Sequence, residues 1–128
     1  MQKTVVSTQN APKAVGAYSQ GICVSAGRFW YFSGQIAIDP ATGSMVEGDA
    51  AAQCAVIVKN IAALLADQGL TANNVVKTTV FITDINEFKA VNQVYAGFFS
   101  EALPARSCVA VSALPMGAKV EIEVIAAE

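Results

Sequence analysis

Helical periodicity occurs in two segments of this chain, and each segment carries a single apolar stripe. One segment extends from Asp49 to Gln68, and the other begins at Asp84 and must end before Pro104. The stripe residues are Ile57, Ile61, Leu64 and Leu65 in the first segment and Phe88, Val91, Tyr95, Phe98 and Phe99 in the second. A helix with one apolar stripe buries it against one surface. Both helices are therefore predicted to lie on one face of a sheet.

Short polar motifs predict where these helices begin and end. Asp49, after Gly48, is suited to cap the start of the first helix, and Gly69 is suited to stop it. Asp84 with Glu87 three residues later resembles a capping box, with aspartate in place of serine or threonine.

Six other runs have the composition of β-strands. They lie around Val5–Val6 and over Ile22–Ala26, Phe29–Ser33, Val75–Thr83, Arg106–Leu114 and Lys119–Ala126. The second and third runs flank Gly27-Arg28, which predicts a hairpin. The order β, β-hairpin, α, β, α, β, β predicts one α+β domain over residues 1–128, with a mixed sheet and two helices on one face.

The second face of that sheet has no predicted helix to cover it. Charged residues are only 14% of the chain, against about 25% in an ordinary soluble domain. Both observations predict that copies of the chain pack together around a shared sheet surface.

The composition excludes several classes of function. With no histidine, Ser-His-Asp catalysis, Cys-His catalysis and histidine metal sites are ruled out. Cys23, Cys54 and Cys108 form no C-x-x-C pair, and nucleotide-binding glycine motifs are absent. A net charge of −2 without a basic run argues against nucleic-acid binding. Scattered thiols and the lack of a signal-like or spanning apolar run predict a soluble cytoplasmic protein.

Two charged residues have apolar neighbours in the predicted strands. Arg106 needs an anionic partner, which is either a carboxylate of the protein in a structural ion pair or a ligand held by two parallel hydrogen bonds. Glu121 shares one strand face with Glu123 and is either a solvated surface residue or a group that moves protons. Tyr18, in a glycine-flanked loop, is either a surface packing residue or part of a site. Cys108 is either a small hydrophobe or a site residue, and no base is available to activate it.

Several motifs together resemble the Rid (YjgF) family, in its branch of reactive enamine and imine deaminases. They span most of the chain, in order: A-V-G-A-Y-S-Q-G at 14–21, F-S-G-Q-I at 32–36, V-K-T-T-V-F-I at 76–82, the stripe at 88–99, P-A-R-S-C-V at 104–109 and V-E-I-E at 120–123. One departure is Ala17, where the family usually has proline before the tyrosine, and a looser loop around Tyr18 is expected from it.

The resemblance implies a chorismate-mutase-like fold with a mixed six-stranded sheet, assembled as a homotrimer with ligand clefts between subunits. It implies hydrolysis of 2-imino acids such as 2-iminopropanoate and 2-iminobutanoate, formed from enamines such as 2-aminoacrylate, to 2-keto acids and ammonia. No cofactor or metal is implied. Arg106 would hold the substrate carboxylate and Glu121 would handle protons. The residues matching other cleft positions are Tyr18, Ser33, Asn92 and Cys108.

Two alternatives remain open from the sequence. The same cleft could belong to a non-catalytic module that binds small keto acids or other carboxylates. Family members have also been described as ribonucleases or translation inhibitors, but the negative net charge and the absence of histidine argue against RNA cleavage here.

Overall fold

The computed structural model describes residues 1–101 and 103–128, which contain eight strands and two α-helices. The strands are β1 (Gln2–Val6), β2 (Gly21–Ser25), β3 (Phe29–Gln35), β4 (Ile38–Asp39), β5 (Ser44–Met45), β6 (Val75–Ile82), β7 (Ala105–Ala110) and β8 (Val120–Ala127). The helices are α1 (Ala50–Asp67) and α2 (Phe88–Phe98). Single 3-10 turns occupy Ala72–Asn74, Ile85–Glu87 and Pro115–Gly117.

The main sheet is mixed and has the strand order β3-β8-β6-β7. β6 and β7 are parallel, and the other neighbours are antiparallel. β1 and β2 form a separate antiparallel pair, and the short β4 and β5 form another. The α+β class and the mixed sheet with two helices are confirmed. The six longer strands, however, divide into a group of four and a pair instead of forming one six-stranded sheet.

The predicted hairpin between β2 and β3 is not formed, because the end of the chain takes its place. The amides of Gly27 and Arg28 donate to the carbonyl of Glu128 at 2.8 and 3.0 Å, and the amide of Glu128 donates to the carbonyl of Arg28 at 3.0 Å. The backbone of the expected turn is thereby paired with the residue after β8. β3 continues along β8, while β2 pairs with β1.

The predicted limits of α1 are confirmed. The side chain of Asp49 accepts a hydrogen bond from the Ala52 amide at 2.8 Å, and Gly69 follows the helix with a φ of 74°. At the second helix Asp84 caps the 3-10 turn, not α2 itself. The capping box is not formed, because Glu87 accepts from the amide of Ala50 at 3.3 Å and so ties the two helix starts together.

The strand limits agree with the sequence to within one residue for β6 and β8 but not for β7. β7 ends at Ala110 instead of Leu114. Its partner β6 ends at Ile82, whose carbonyl accepts the amide of Val111 at 2.8 Å. The parallel pairing stops there because no further β6 residue is available.

Alternation along the strands separates a covered face from an open face. Val80 and Ile122 are paired across β6 and β8, and both are buried beneath the helices. On the other face Glu121 stands beside Phe81, and Tyr31 is 75% exposed beside Ile125. As expected from the two helical stripes, one face of the sheet in a single chain lacks a helical cover.

One helix in the described residues, α1, is long and apolar enough to cross a membrane, with a mean hydropathy of 1.4 over Ala50–Asp67. Its Ile57, Ile61 and Leu65 are buried in the core with residues of β8 and α2. This is the behaviour of a core helix.

Candidate active site

Arg106 lies on β7 at the edge of the main sheet, beneath α2. It is paired in register with Thr78 of β6, so its side chain points to the face that carries the helices. Phe88, Asn92 and Tyr95 are four and three residues apart on α2 and therefore share one side of that helix. That side faces the guanidinium group.

Three aromatic rings surround the Arg106 guanidinium. Its central carbon lies 4.7 Å from the ring centre of Tyr95, 5.5 Å from that of Phe88 and 5.6 Å from that of Tyr18. At these distances the negative faces of the rings attract the positive charge. The rings therefore stabilise a partly buried cation without neutralising it.

The polar contacts of Arg106 leave donors unused. Its Nη1 donates to Oδ1 of Asn92 at 2.7 Å. The one salt bridge among the described residues joins Arg28 to Glu128 at 2.7 Å. Within those ranges the chain thus provides no carboxylate for Arg106, and the structural ion pair considered from the sequence is not formed there. A guanidinium group has five N–H donors, so an anion can still be bound.

A cavity of about 320 Å³ opens beside this guanidinium group. Its lining residues are Val15, Gly16, Tyr18, Phe88, Arg106 and Cys108; we call it the Arg106 cavity. A Cβ placed on Gly16 would lie 3.7 Å from Nη2 of Arg106. Because glycine has no side chain there, this edge of the guanidinium group stays accessible from the cavity.

Local hydrogen bonds hold the loop that forms the outer wall of the cavity. The Tyr18 hydroxyl accepts from the Val15 amide at 3.3 Å, and the Tyr18 amide donates to the Gly16 carbonyl at 2.9 Å. The Ser19 hydroxyl donates to the Leu103 carbonyl at 2.5 Å, close to the start of β7. Ala17 itself is buried. These contacts hold the loop against β7 although Ala17 replaces the usual proline.

The hydroxyl and thiol groups nearest to Arg106 are kept neutral by burial. Burial raises the pKa of Tyr95 to about 12, although its hydrogen bond with Thr78 and the charge of Arg106 both oppose the change. Burial also raises the pKa of Cys108, and the charge of Arg106 only partly opposes it. The Cys108 thiol is therefore protonated at neutral pH and poorly suited to act as a nucleophile.

The predicted site residues fall into two groups. Tyr18, Asn92 and Cys108 lie around Arg106. Glu121 is beside Phe81 on the open face of the sheet, whereas Arg106 is on the covered face. Ser33 is exposed on β3 and does not line the Arg106 cavity. A single chain therefore does not bring Glu121 and Ser33 to Arg106.

Two residues of the Arg106 environment were assigned from the sequence only to the core. Phe88 and Tyr95 fit the apolar stripe of α2, and Tyr95 is indeed fully buried. Their spacing from Asn92 was the available signal, since residues at i, i+4 and i+7 share one helix face.

In the described ranges no three cysteine or acidic side chains converge as a metal site would require.

The fold and the Arg106 cavity together define a small α+β protein with an accessible arginine at the edge of a mixed sheet. The family model described as "Endoribonuclease L-PSP" matches residues 8–128. The chain belongs to this family, also called the Rid or YjgF family.

Individual relatives cover nearly the whole chain. Protein DfrA of Myxococcus xanthus is 48% identical over 98% of this chain and 96% of its own length. The 2-iminobutanoate/2-iminopropanoate deaminase of Rattus norvegicus is 45% identical over 98% of this chain and 90% of its own length. Among solved structures, the Rid protein YyfA of Yersinia pestis is 52% identical with a TM-score of 0.76, covering 99% of this chain and all of its own. TdcF of E. coli, solved with bound serine, is 40% identical with a TM-score of 0.74, covering 98% of each chain.

Proposed function

We propose that this protein is a hydrolytic deaminase that converts 2-imino acids, among them 2-iminopropanoate and 2-iminobutanoate, to 2-keto acids and ammonia. The observation that carries this proposal is the Arg106 guanidinium, which opens onto a cavity and has no carboxylate partner among the described residues. Mammalian relatives named as deaminases with these substrates support it. So does the relative with bound serine, because serine also carries a carboxylate.

Arg106 would fix the substrate by its carboxylate. One N–H is taken by Asn92, and the accessible edge next to Gly16 remains for the two oxygens of the ligand. The surrounding rings limit the movement of the guanidinium group. The imine carbon adjacent to the carboxylate is then held in one place, which favours attack by water.

Glu121 would carry the protons of the reaction. A water oxygen bonds to the imine carbon as the C=N π pair moves to nitrogen, and the Glu121 carboxylate takes a proton from that water. Glu121 then returns the proton to the amino nitrogen of the tetrahedral intermediate. The hydroxyl proton then passes through Glu121 to this amino nitrogen, the C–N bond breaks with its electron pair going to nitrogen, and ammonia leaves as the keto group forms. No change of oxidation state occurs, so no redox partner is needed.

This mechanism requires more than one copy of the chain. Arg106 and Glu121 are on opposite faces of the same sheet, so they meet only if the open face of one copy covers the β7 edge of another. We propose a homotrimer with three such clefts, in which Ser33 accompanies Glu121 on one wall. The exposed Tyr31 and Val109 on the open face and the low content of charged residues support an interface there.

The wild-type protein is expected to produce 2-oxobutanoate or pyruvate faster than the uncatalysed reaction. A dehydratase acting on threonine or serine would supply the short-lived imine, and a keto-acid assay would follow the product. Binding of keto acids without any acceleration would instead identify a carboxylate-binding module. Cleavage of purified RNA by nuclease-free protein, with no acceleration of deamination, would favour the ribonuclease alternative. We further propose that the protein is located in the cytoplasm and that residues 1–128 form one domain.

Thiol labelling at neutral pH is expected to distinguish the three cysteines. Cys23 is exposed and should react first, whereas burial raises the pKa of Cys54 to about 12 and should prevent reaction in the folded protein. Cys108, whose pKa is also raised, should react at least about tenfold more slowly than Cys23. Saturating 2-oxobutanoate should slow Cys108 further and leave Cys23 unchanged, as measured by mass spectrometry of peptides. Equal labelling of Cys108 with and without the keto acid would contradict its place in the binding site.

A further inference from the structure

Gly34 lies on β3 at an irregularity of the main sheet. Phe32 is paired with Val124 and Gln35 with Ile122, so two residues of β3, Ser33 and Gly34, stand opposite one residue of β8. Such a bulge changes the direction of the side chains around it. Glu121 comes directly before Ile122 in β8 and is therefore next to this bulge.

The space above Gly34 is occupied by the Glu121 side chain. A Cβ placed on Gly34 would lie 3.1 Å from Cγ and 2.9 Å from Cδ of Glu121, and it would overlap the carboxylate oxygen Oε2. The backbone of Gly34 does not itself require glycine, because its φ is not in the left-handed region. The missing side chain, not the backbone freedom of glycine, is therefore what this position uses.

Glu121 has little else to hold its carboxylate in place. Along 1–101 and 103–128 the carboxylate forms no side-chain hydrogen bond and no salt bridge. Its orientation depends on packing against neighbouring atoms, and its end occupies the place that a side chain at position 34 would take.

We infer that Gly34 is a positioning residue for Glu121: it lets the carboxylate lie against β3 at the bulge, next to Ser33. This inference rests on the proposed function, in which Glu121 transfers protons. A methyl group at position 34 would push the end of a flexible side chain aside and leave the strand pairing intact. It would thus misplace the acid–base group and leave the Arg106 cavity of the same chain, which is on the other face of the sheet, unchanged.

The Gly34→Ala variant should therefore keep its assembly and its affinity for 2-oxobutanoate but lose turnover. We expect kcat to fall by about ten- to a hundredfold and KM to change by less than about twofold, because small displacements of a catalytic group have effects of this size. The matched control is Gly97→Ala on α2, where a new Cβ would meet nothing within 4 Å. This control should keep wild-type kcat.

A double-variant cycle separates positioning from general damage. In a Glu121→Ala background, Gly34→Ala should cause no further loss, since the group that it displaces is already gone. A full additional loss in that background, or wild-type kcat in the single variant, would overturn the inference.

A crystal structure of Gly34→Ala tests the same inference without an activity measurement. The Glu121 carboxylate should have moved away from β3 while the pairing of β3 with β8 is retained. A carboxylate left in place with a displaced strand would overturn the inference. If wild-type protein shows no deamination, the proposed function fails, and this structural result still decides whether Gly34 sets the position of Glu121.

Discussion

Replacing Arg106 with alanine is expected to lower kcat/KM for 2-imino acids by at least about a thousandfold, equivalent to about 4 kcal/mol. Among the described residues that line the Arg106 cavity, the variant loses the one group that can neutralise the substrate carboxylate and orient it by two hydrogen bonds. Coupled turnover and calorimetric binding of 2-oxobutanoate would measure the effect, and both should be lost together.

The assembly should survive this change. Arg106 has no carboxylate partner among the described residues, so its removal leaves no uncompensated acid there, and Asn92 is near enough to solvent to be hydrated. Sedimentation should therefore give the same mass as for the wild type. Arg106→Lys is the matched control, because it keeps the charge but loses the planar fork, and it should retain intermediate activity with weaker binding. Near-normal turnover in Arg106→Ala would refute the role of this residue.

Mixing two impaired variants is expected to restore activity if the cleft is shared between copies. Arg106→Ala alone should be inactive, and Glu121→Ala alone should lose most of its turnover, with a measurable residual rate and a smaller loss of ligand affinity. When the two are coexpressed with different tags and assemble at random, about a quarter of the clefts should combine an intact Arg106 with an intact Glu121 from the adjacent copy. In each doubly tagged trimer one of the three clefts is intact, so these trimers should recover about a third of wild-type kcat.

The controls for this experiment use the double variant Arg106→Ala/Glu121→Ala. Mixing it with either single variant cannot form an intact cleft and should give no recovery. Sedimentation should show three times the chain mass of 13.3 kDa for every mixture. If trimers form but no mixture recovers activity, Arg106 and Glu121 act in separate processes. A monomer at micromolar concentration would contradict the shared cleft itself.

Features that depend on neighbouring residues in the sequence could be predicted without the structure. The limits of α1 follow from Asp49 and Gly69, whose side-chain oxygen and positive φ act within a few residues of the helix ends. The covered face of the sheet likewise follows from the alternation of Val120, Ile122 and Val124 in β8. These signals need only the spacing of residues along one element.

Features that depend on pairing between residues far apart in the sequence could not be predicted from the sequence. The turn at Gly27-Arg28 has the local chemistry of a hairpin, but Glu128, a hundred residues further along, takes its backbone hydrogen bonds. The separation of Arg106 from Glu121 depends on the register of three strands, and a shift of one residue would reverse it. The role of Gly34 depends on the bulge of β3 opposite β8, and no local sequence pattern predicts that bulge.

The aromatic and thiol neighbours of Arg106 also determine how the protein should respond to acidity. Tyr95 and Cys108 both have raised pKa values and stay uncharged between about pH 6 and pH 8, so neither of them changes the charge of this wall in that range. Affinity for a keto acid should then be flat across that range. A pH dependence of turnover would then arise from groups on the opposite wall of the cleft or from the nitrogen of the substrate. The two halves of the cleft could therefore be studied separately by titration alone.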